Sequence, residues 1–328
     1  MTDRRAFIAT VGSAMFAAPA RLRAQATARR IAFLSTFARA DIDVVLGLIR
    51  AELEKLGWTD GHNIVLLEPR TSESRNELLP ALAAEIVTQG PDLILVQSLP
   101  ATRALMQATK SIPIVMYAVG NPVEAGIVAD YRKPGGNVTG SSYMANEYAR
   151  KLLQLLKEAA PGLRSVAVFA NPGNEAAALF SKLMRADAAA SGMQAQIVEV
   201  LGPGDFEAAF AAIRSANTQA ILLPPESLIL SKREAIAGFA QTHRLPLAVV
   251  GVGRTLPSSG LMAFGPARDE YPQLAARYVD RILKGARPGD LAVEQTTRFT
   301  LVINLKAAKV LGLTIPPSLL LRADEVIE

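Results

Sequence analysis

Two histidines, no cysteine and a scatter of serines leave little from which to build a catalytic centre. His62 stands in Asp60-Gly61-His62-Asn63, a turn pattern, and His243 closes a helical stretch before Leu245-Pro246. Zinc sites draw on clustered His or Cys, so no metal site is expected. Without a thiol there is neither thiolate chemistry nor a disulfide. Ser98 and Ser227 are the candidate nucleophiles, and neither has a positioned base. There is no G-x-S-x-G elbow and no Walker A loop. Gly135-Gly136-Asn137-Val138-Thr139-Gly140 precedes a short strand instead of leading from a strand into a helix, so it reads as a turn and not as a dinucleotide loop. Asp41 and Asp43 diverge at a helix start, where they suit the helix dipole better than paired acid–base work. The chain is expected to bind rather than to catalyse, with no cofactor.

The groups suited to binding are small, polar and grouped. One half of the chain offers Ser35-Thr36-Phe37, Gln97-Ser98 and Tyr117-Ala118-Val119, each just after an apolar run. The other offers Asn171-Pro172, Pro224-Pro225-Glu226-Ser227 and Gly251-Val252-Gly253, with Ser141, Ser142 and Tyr143 between the halves. Polar groups on apolar walls suit the capture of a small molecule. The expected ligand contacts are Ser35, Thr36, Phe37, Gln97, Ser98 and Tyr117 from one side, and Ser142, Asn171, Glu226 and Gly251 from the other. Gln97, Ser98 and Asn171 would hydrogen-bond polar groups, Phe37 and Tyr117 would form walls, and Glu226 would pair with an amine.

The elements that must position them alternate in type. Strands are expected at 30–34, 64–67, 93–96 and 112–116, and helices at 42–56, 78–88 and 101–109. Leu93-Ile94-Leu95-Val96 is a continuous apolar run, the mark of a strand buried on both faces of a parallel sheet. The rhythm restarts with helices at 151–160, 174–191, 205–215 and 232–243, and strands at 165–169, 196–200, 220–223 and 245–250. This βαβ alternation predicts an α/β fold of two Rossmann-like lobes with parallel sheets. In such sheets ligands sit beyond the carboxyl ends of the strands, so a cleft between the lobes would be lined by the loops named above.

The first 26 residues read as an export signal. Asp3-Arg4-Arg5-Ala6-Phe7-Ile8 sets paired arginines before a mild apolar run that ends at Ala20, and Ala24-Gln25-Ala26 supplies a small-residue cleavage pattern. The arginine pair matches the twin-arginine type, and the run is shorter than the roughly 20 residues a membrane span needs. This segment holds four arginines and one aspartate, so the remaining 302 residues carry +2 of the chain's +5. No basic stripe for nucleic acid is left. A protein of the periplasm is expected.

Several blocks resemble one family. Ile112-Pro113-Ile114-Val115, Asn121-Pro122-Val123-Glu124-Ala125-Gly126 and the Lys133-Pro134-Gly135-Gly136-Asn137-Val138-Thr139-Gly140 stretch resemble the central signature of ABC transporter substrate-binding proteins. Leu53 to Asn63, Arg281 to Pro288, Leu301 to Leu313 and Ala323 to Glu328 are similar to further motifs of that family. Its best-known branch resembles receptors for tryptophan and other aromatic amino acids. The resemblance implies a periplasmic-binding-protein type I-like fold with three crossings between lobes, near Gly140, Gly265 and Phe299. The lobes would be 27–140 plus 266–298 and 141–265 plus 299–328, after a signal peptide of 1–26. It also implies a solute receptor of an ABC importer, possible ligands being an amino acid or small organic acid. Its partners would be the permease with its cytoplasmic ATPase, and its only tie to the membrane would be the permease. A sensor presenting its ligand to a membrane kinase or chemoreceptor is the alternative. Many members carry Asp-Pro-Val where this chain has Asn121-Pro122-Val123, which removes a carboxylate from the cleft mouth.

Overall fold

The computed structural model describes residues 28–251 and 255–328. Residues 1–26, expected to form an export signal, lie outside the described residues, as do Val252 and Gly253. The chain first lays down β1 (Arg29–Ser35), α1 (Arg39–Lys55), β2 (Ile64–Leu66), β3 (Arg70–Thr71), α2 (Leu79–Thr88), β4 (Leu93–Gln97), α3 (Leu99–Ala108), β5 (Ile114–Gly120) and β6 (Val138–Tyr143). It then crosses to α4 (Ala145–Ala159), β7 (Ser165–Ala170), α5 (Ala177–Ala190), β8 (Gln194–Glu199), α6 (Phe206–Ser215) and β9 (Ile221–Leu223). The same half continues with α7 (Ser227–Ser231), α8 (Arg233–Thr242), β10 (Leu247–Val250) and β11 (Met262–Pro266). Two returning elements, α9 (Glu270–Leu283) and β12 (Glu294–Gln295), rejoin the first half. The second is completed by β13 (Phe299–Asn304), α10 (Leu305–Leu311), α11 (Pro317–Leu320) and β14 (Glu325–Ile327).

Two sheets result. One has the order β12-β6-β5-β4-β1-β2 with β3 beside β1; the other runs β14-β13-β11-β10-β9-β7-β8. Pairing is parallel except between β11 and β13. Strand β4 shows why the first sheet sits between two layers of helices. Leu93 and Leu95 join the apolar cluster under α1 and α9, while Ile94 and Val96 join the one under α2 and α3. Alternating side chains point to opposite faces, so a run of four apolar residues needs cover on both. Ile42, Ile49 and Leu53 of α1 have no exposed surface, and each such burial contributes about 1.5–3 kcal/mol.

The expected α/β alternation is present, with one displaced boundary that matters. Helix α4 begins at Ala145 and not near Lys151. Its N-cap is Met144, which makes no side-chain cap, so the usual Ser, Thr, Asp or Asn start signal is missing. Tyr148, Ala149, Leu152, Leu153, Leu155 and Leu156 bury its inner face and hold the first turns in place.

Three segments join the halves, after Tyr143, after Pro266 and after Gln295, and they are tied to one another. The Tyr271 hydroxyl donates to the Ser142 carbonyl at 3.1 Å, and Tyr148 Oη and Thr296 Oγ1 lie 2.6 Å apart. The Thr297 and Arg298 N–H groups donate to the two oxygens of Glu270 at 2.7 and 3.0 Å. Just before the first crossing, Gly140 has φ 129°, and a Cβ there would overlap the Met116 backbone of the neighbouring strand.

Candidate functional site

A cavity of about 340 Å³ lies between the two halves, at the carboxyl ends of both sheets. That is the low end of the range for small-molecule sites. Its walls carry Phe37, Tyr117 and Tyr271 from the first half, Phe169 and Phe180 from the second, and Tyr143 at the first crossing. The rings are packed together: Tyr271 lies 5.7 Å from Tyr117 and 6.0 Å from Tyr143, centroid to centroid. Burial pushes the hydroxyl pKa values of all three tyrosines up, so they stay neutral. Phe37 is shared, packing on the apolar clusters of both halves.

Eight of the ten expected contacts line this cavity: Thr36, Phe37, Gln97, Ser98, Tyr117, Asn171, Glu226 and Gly251. The other two are corrections. Ser35 is fully buried; its hydroxyl donates to Gln97 Oε1 at 3.2 Å and accepts from the Phe37 N–H at 3.1 Å. It holds Oε1 of Gln97, whose side chain belongs to the cavity wall. Ser142 is also buried, its carbonyl accepting from the Tyr271 hydroxyl. Strand alternation turns both hydroxyls away from the void.

Ser98 is both cap and wall. Its oxygen accepts from the Ala101 N–H at 3.4 Å at the start of α3, and its φ is 93°. Ala118 and Asn121, also on the wall, have φ of 55° and 47°. Such left-handed conformations in non-glycine residues cost about 1–3 kcal/mol each and gather at functional sites. Gly251 is held by a close approach: a Cβ on Gly265 would lie 2.8 Å from its Cα.

Opposite, Asn171 Nδ2 donates to Glu226 Oε1 at 3.0 Å, and the Gly173 N–H donates to Asn171 Oδ1 at 2.9 Å. Glu226 Oε2 accepts from the Ile229 N–H at 3.1 Å, capping α7. Loss of hydration raises the Glu226 pKa; Asn171 and Ile229 act against the shift. A carboxylate so placed is suited to an ammonium ion. At the rim, Arg233 faces Asp41 across the cleft at 3.7 Å, and Arg103 Nε meets Glu175 at 2.9 Å.

Residues beyond the expected set also line the cavity, notably Tyr143, Asn146 and Tyr271. Tyr143 belonged to the polar inventory, and its aromatic ring beside two serines was the available signal. Asn146 was hidden by the missing cap of α4. Tyr271 arrives from more than a hundred residues downstream, and nothing local announces its neighbours. Among the described residues no group of three or more His, Cys, Asp or Glu is placed to hold a metal ion, and no helix is long and apolar enough to cross a membrane. His62 and His243 lie outside the cavity lining, and both are exposed.

Two α/β lobes, joined by three segments around a ring-walled cleft, define a solute-binding receptor. The ABC transporter substrate binding protein model matches residues 32–327, and the chain belongs to that family. Its members are extracytoplasmic receptors for small solutes and not enzymes. A tyrosine-binding protein of Clostridioides difficile (strain R20291) is 28% identical over 272 residues, spanning 81% of this chain and 76% of the relative. A conserved domain protein from Vibrio cholerae has the same fold with a TM-score of 0.84 at 28% identity, over 91% of this chain and 99% of that one. An ABC domain from Streptococcus pneumoniae, solved with L-Trp, also gives 0.84, at 24% identity over 92% and 100%. The fold is the periplasmic-binding-protein type I-like one.

Proposed function

We propose that this protein captures an amino acid with an aromatic side chain and delivers it to the permease and ATPase of an ABC importer. The carrying observation is the cavity itself: about 340 Å³, walled by six aromatic rings, with the Glu226 carboxylate held on one side by Asn171. The tyrosine-binding relative and the L-Trp complex support the same ligand class. Thr36, Gln97, Ser98, Asn171 and Glu226 meet the polar end; Phe37 and Tyr117 meet the ring. The moving bodies follow the division 27–140 plus 266–298 against 141–265 plus 299–328, with Ser141 to Tyr143 kept in the first sheet. Closure around the solute selects the form that docks on the permease. The twin-arginine pattern of residues 1–26 supports delivery to the periplasm.

The test is calorimetry and thermal shift of the protein lacking residues 1–26 against L-tryptophan, L-tyrosine, L-phenylalanine and aliphatic amino acids. An aromatic amino acid at 100 times its Kd should stabilise the fold by about 2.7 kcal/mol. Binding of aliphatic but not aromatic amino acids would overturn the reading.

A further inference from the structure

Four side-chain polar atoms among the described residues are buried without a hydrogen-bond partner, and two of them belong to the cavity wall: Tyr143 Oη and Asn146 Oδ1. Such an atom costs about 1–3 kcal/mol when it stays unpaired, so two within three residues at one cavity demand an explanation. Asn146 is only 7% exposed. It is the second residue of α4, a helix of 15 residues whose N-cap side chain contributes nothing. The first N–H groups of a helix lack internal partners and carry its positive end. Ala145 and Asn146 both line the cavity, so this end faces the solute. The first-turn acid, Glu147, is exposed.

We infer that the first turn of α4, with Tyr143 Oη and the Asn146 amide, is the subsite for the carboxylate of the ligand. The inference rests on the amino-acid reading above. Tyr143 stays protonated and can donate. Oδ1 of Asn146 cannot bond a carboxylate, since both accept; turning the side-chain amide over exchanges it for the N–H₂ group, which can donate. Together with free backbone N–H groups these make a set of donors at a positive helix end, which is what a carboxylate requires. Glu226 then takes the ammonium from the second lobe. The ligand is thereby fixed as a zwitterion, its carboxylate against the crossing segment and its amine against the α7 cap.

Calorimetry with L-tryptophan and with tryptamine, which lacks the carboxylate, tests this. Tyr143→Phe and Asn146→Asp should each weaken L-tryptophan by about tenfold or more while changing tryptamine by less than about threefold. Asn146→Asp is the sharper variant. An acid in the first turn gains from the helix dipole but loses hydration at this buried position, so the ligand-free protein should melt only modestly below wild type. A purely structural role for Asn146 predicts unchanged L-tryptophan affinity. Equal losses for both ligands, or none for L-tryptophan, overturn the assignment. So does loss on removing the exposed rim cation, Arg268→Ala, with Tyr143→Phe silent. Should wild type bind no aromatic amino acid, the aromatic reading fails alone, and the same variants are run with leucine, succinate and benzoate. Weakening of whichever carboxylate binds upholds the subsite; binding of none of them overturns it.

Discussion

Arg103 on α3 and Glu175 ahead of α5 meet across the cleft, Nε to Oε1 at 2.9 Å, while a second nitrogen of Arg103 donates to the Ala125 carbonyl at 2.7 Å. The arginine is anchored in one lobe and grips the other. Both side chains remain more than a third exposed, at 38% and 43%, which limits the pair to about 0–1 kcal/mol. Glu175→Gln should therefore speed ligand release by a few-fold at most, and the effect should shrink with added salt. Stopped-flow release at low and high ionic strength checks this; a hundredfold effect would mean the pair does more than the geometry allows.

The Glu226 carboxyl gives a pH signature. Its pKa stands above the ordinary 4.5 because burial strips its hydration. The folded protein thus holds this proton more tightly than the unfolded chain. The associated stability is complete below 4.5 and is lost as pH rises through the folded value. Urea midpoints of ligand-free protein should decline as pH is raised above 4.5, and Glu226→Gln should remove that component. The slope is the readout, since Gln cannot accept from both Asn171 and the Ile229 N–H. The same variant should weaken an amino-acid ligand by about tenfold or more, through loss of the charge proposed to meet its ammonium.

Tyr148 reaches from α4 to Thr296 in the third crossing, oxygen to oxygen at 2.6 Å, with both groups buried. Tyr148→Phe leaves the threonine hydroxyl without this partner and should cost about 1–2 kcal/mol in a denaturant titration. Because Tyr148 is absent from the cavity lining, affinity for the solute should change little.

Gly140→Ala should be severe. The residue has φ 129°, and an added Cβ meets the backbone of Met116, which cannot step aside without breaking the β5–β6 pairing. A loss of about 3 kcal/mol or more is expected, seen as low soluble yield or a strongly depressed melting temperature.

The strands that bury both faces were legible because Leu93 to Val96 admits no other reading once the flanking helices are seen. Eight of ten expected contacts reached the cavity wall because a parallel sheet sends its loops to one end. Ser35 and Ser142 failed for a reason finer than topology: each sits on the wrong side of its strand by one residue. Asn146 failed because the helix that carries it starts without a capping residue, so its first turn read as loop. Tyr271 belongs to the site only through the return of α9 from late in the chain, and long-range placement of that kind leaves no local pattern. Glu226 was legible as a residue but not as a pair, since Asn171 lies 55 positions away.

The three joined segments restrict how the halves can move. Tyr271 locks the second to the first, and Glu270 locks the second to the third. A single strap would allow twisting in any direction; three straps bonded side by side behave as a door hinge with one axis. Were the halves to close as proposed above, the protein would work as a caliper, converting the width of one small solute into a single opening angle. A membrane partner that measures the distance between two outer surfaces would then read occupancy without touching the solute at all.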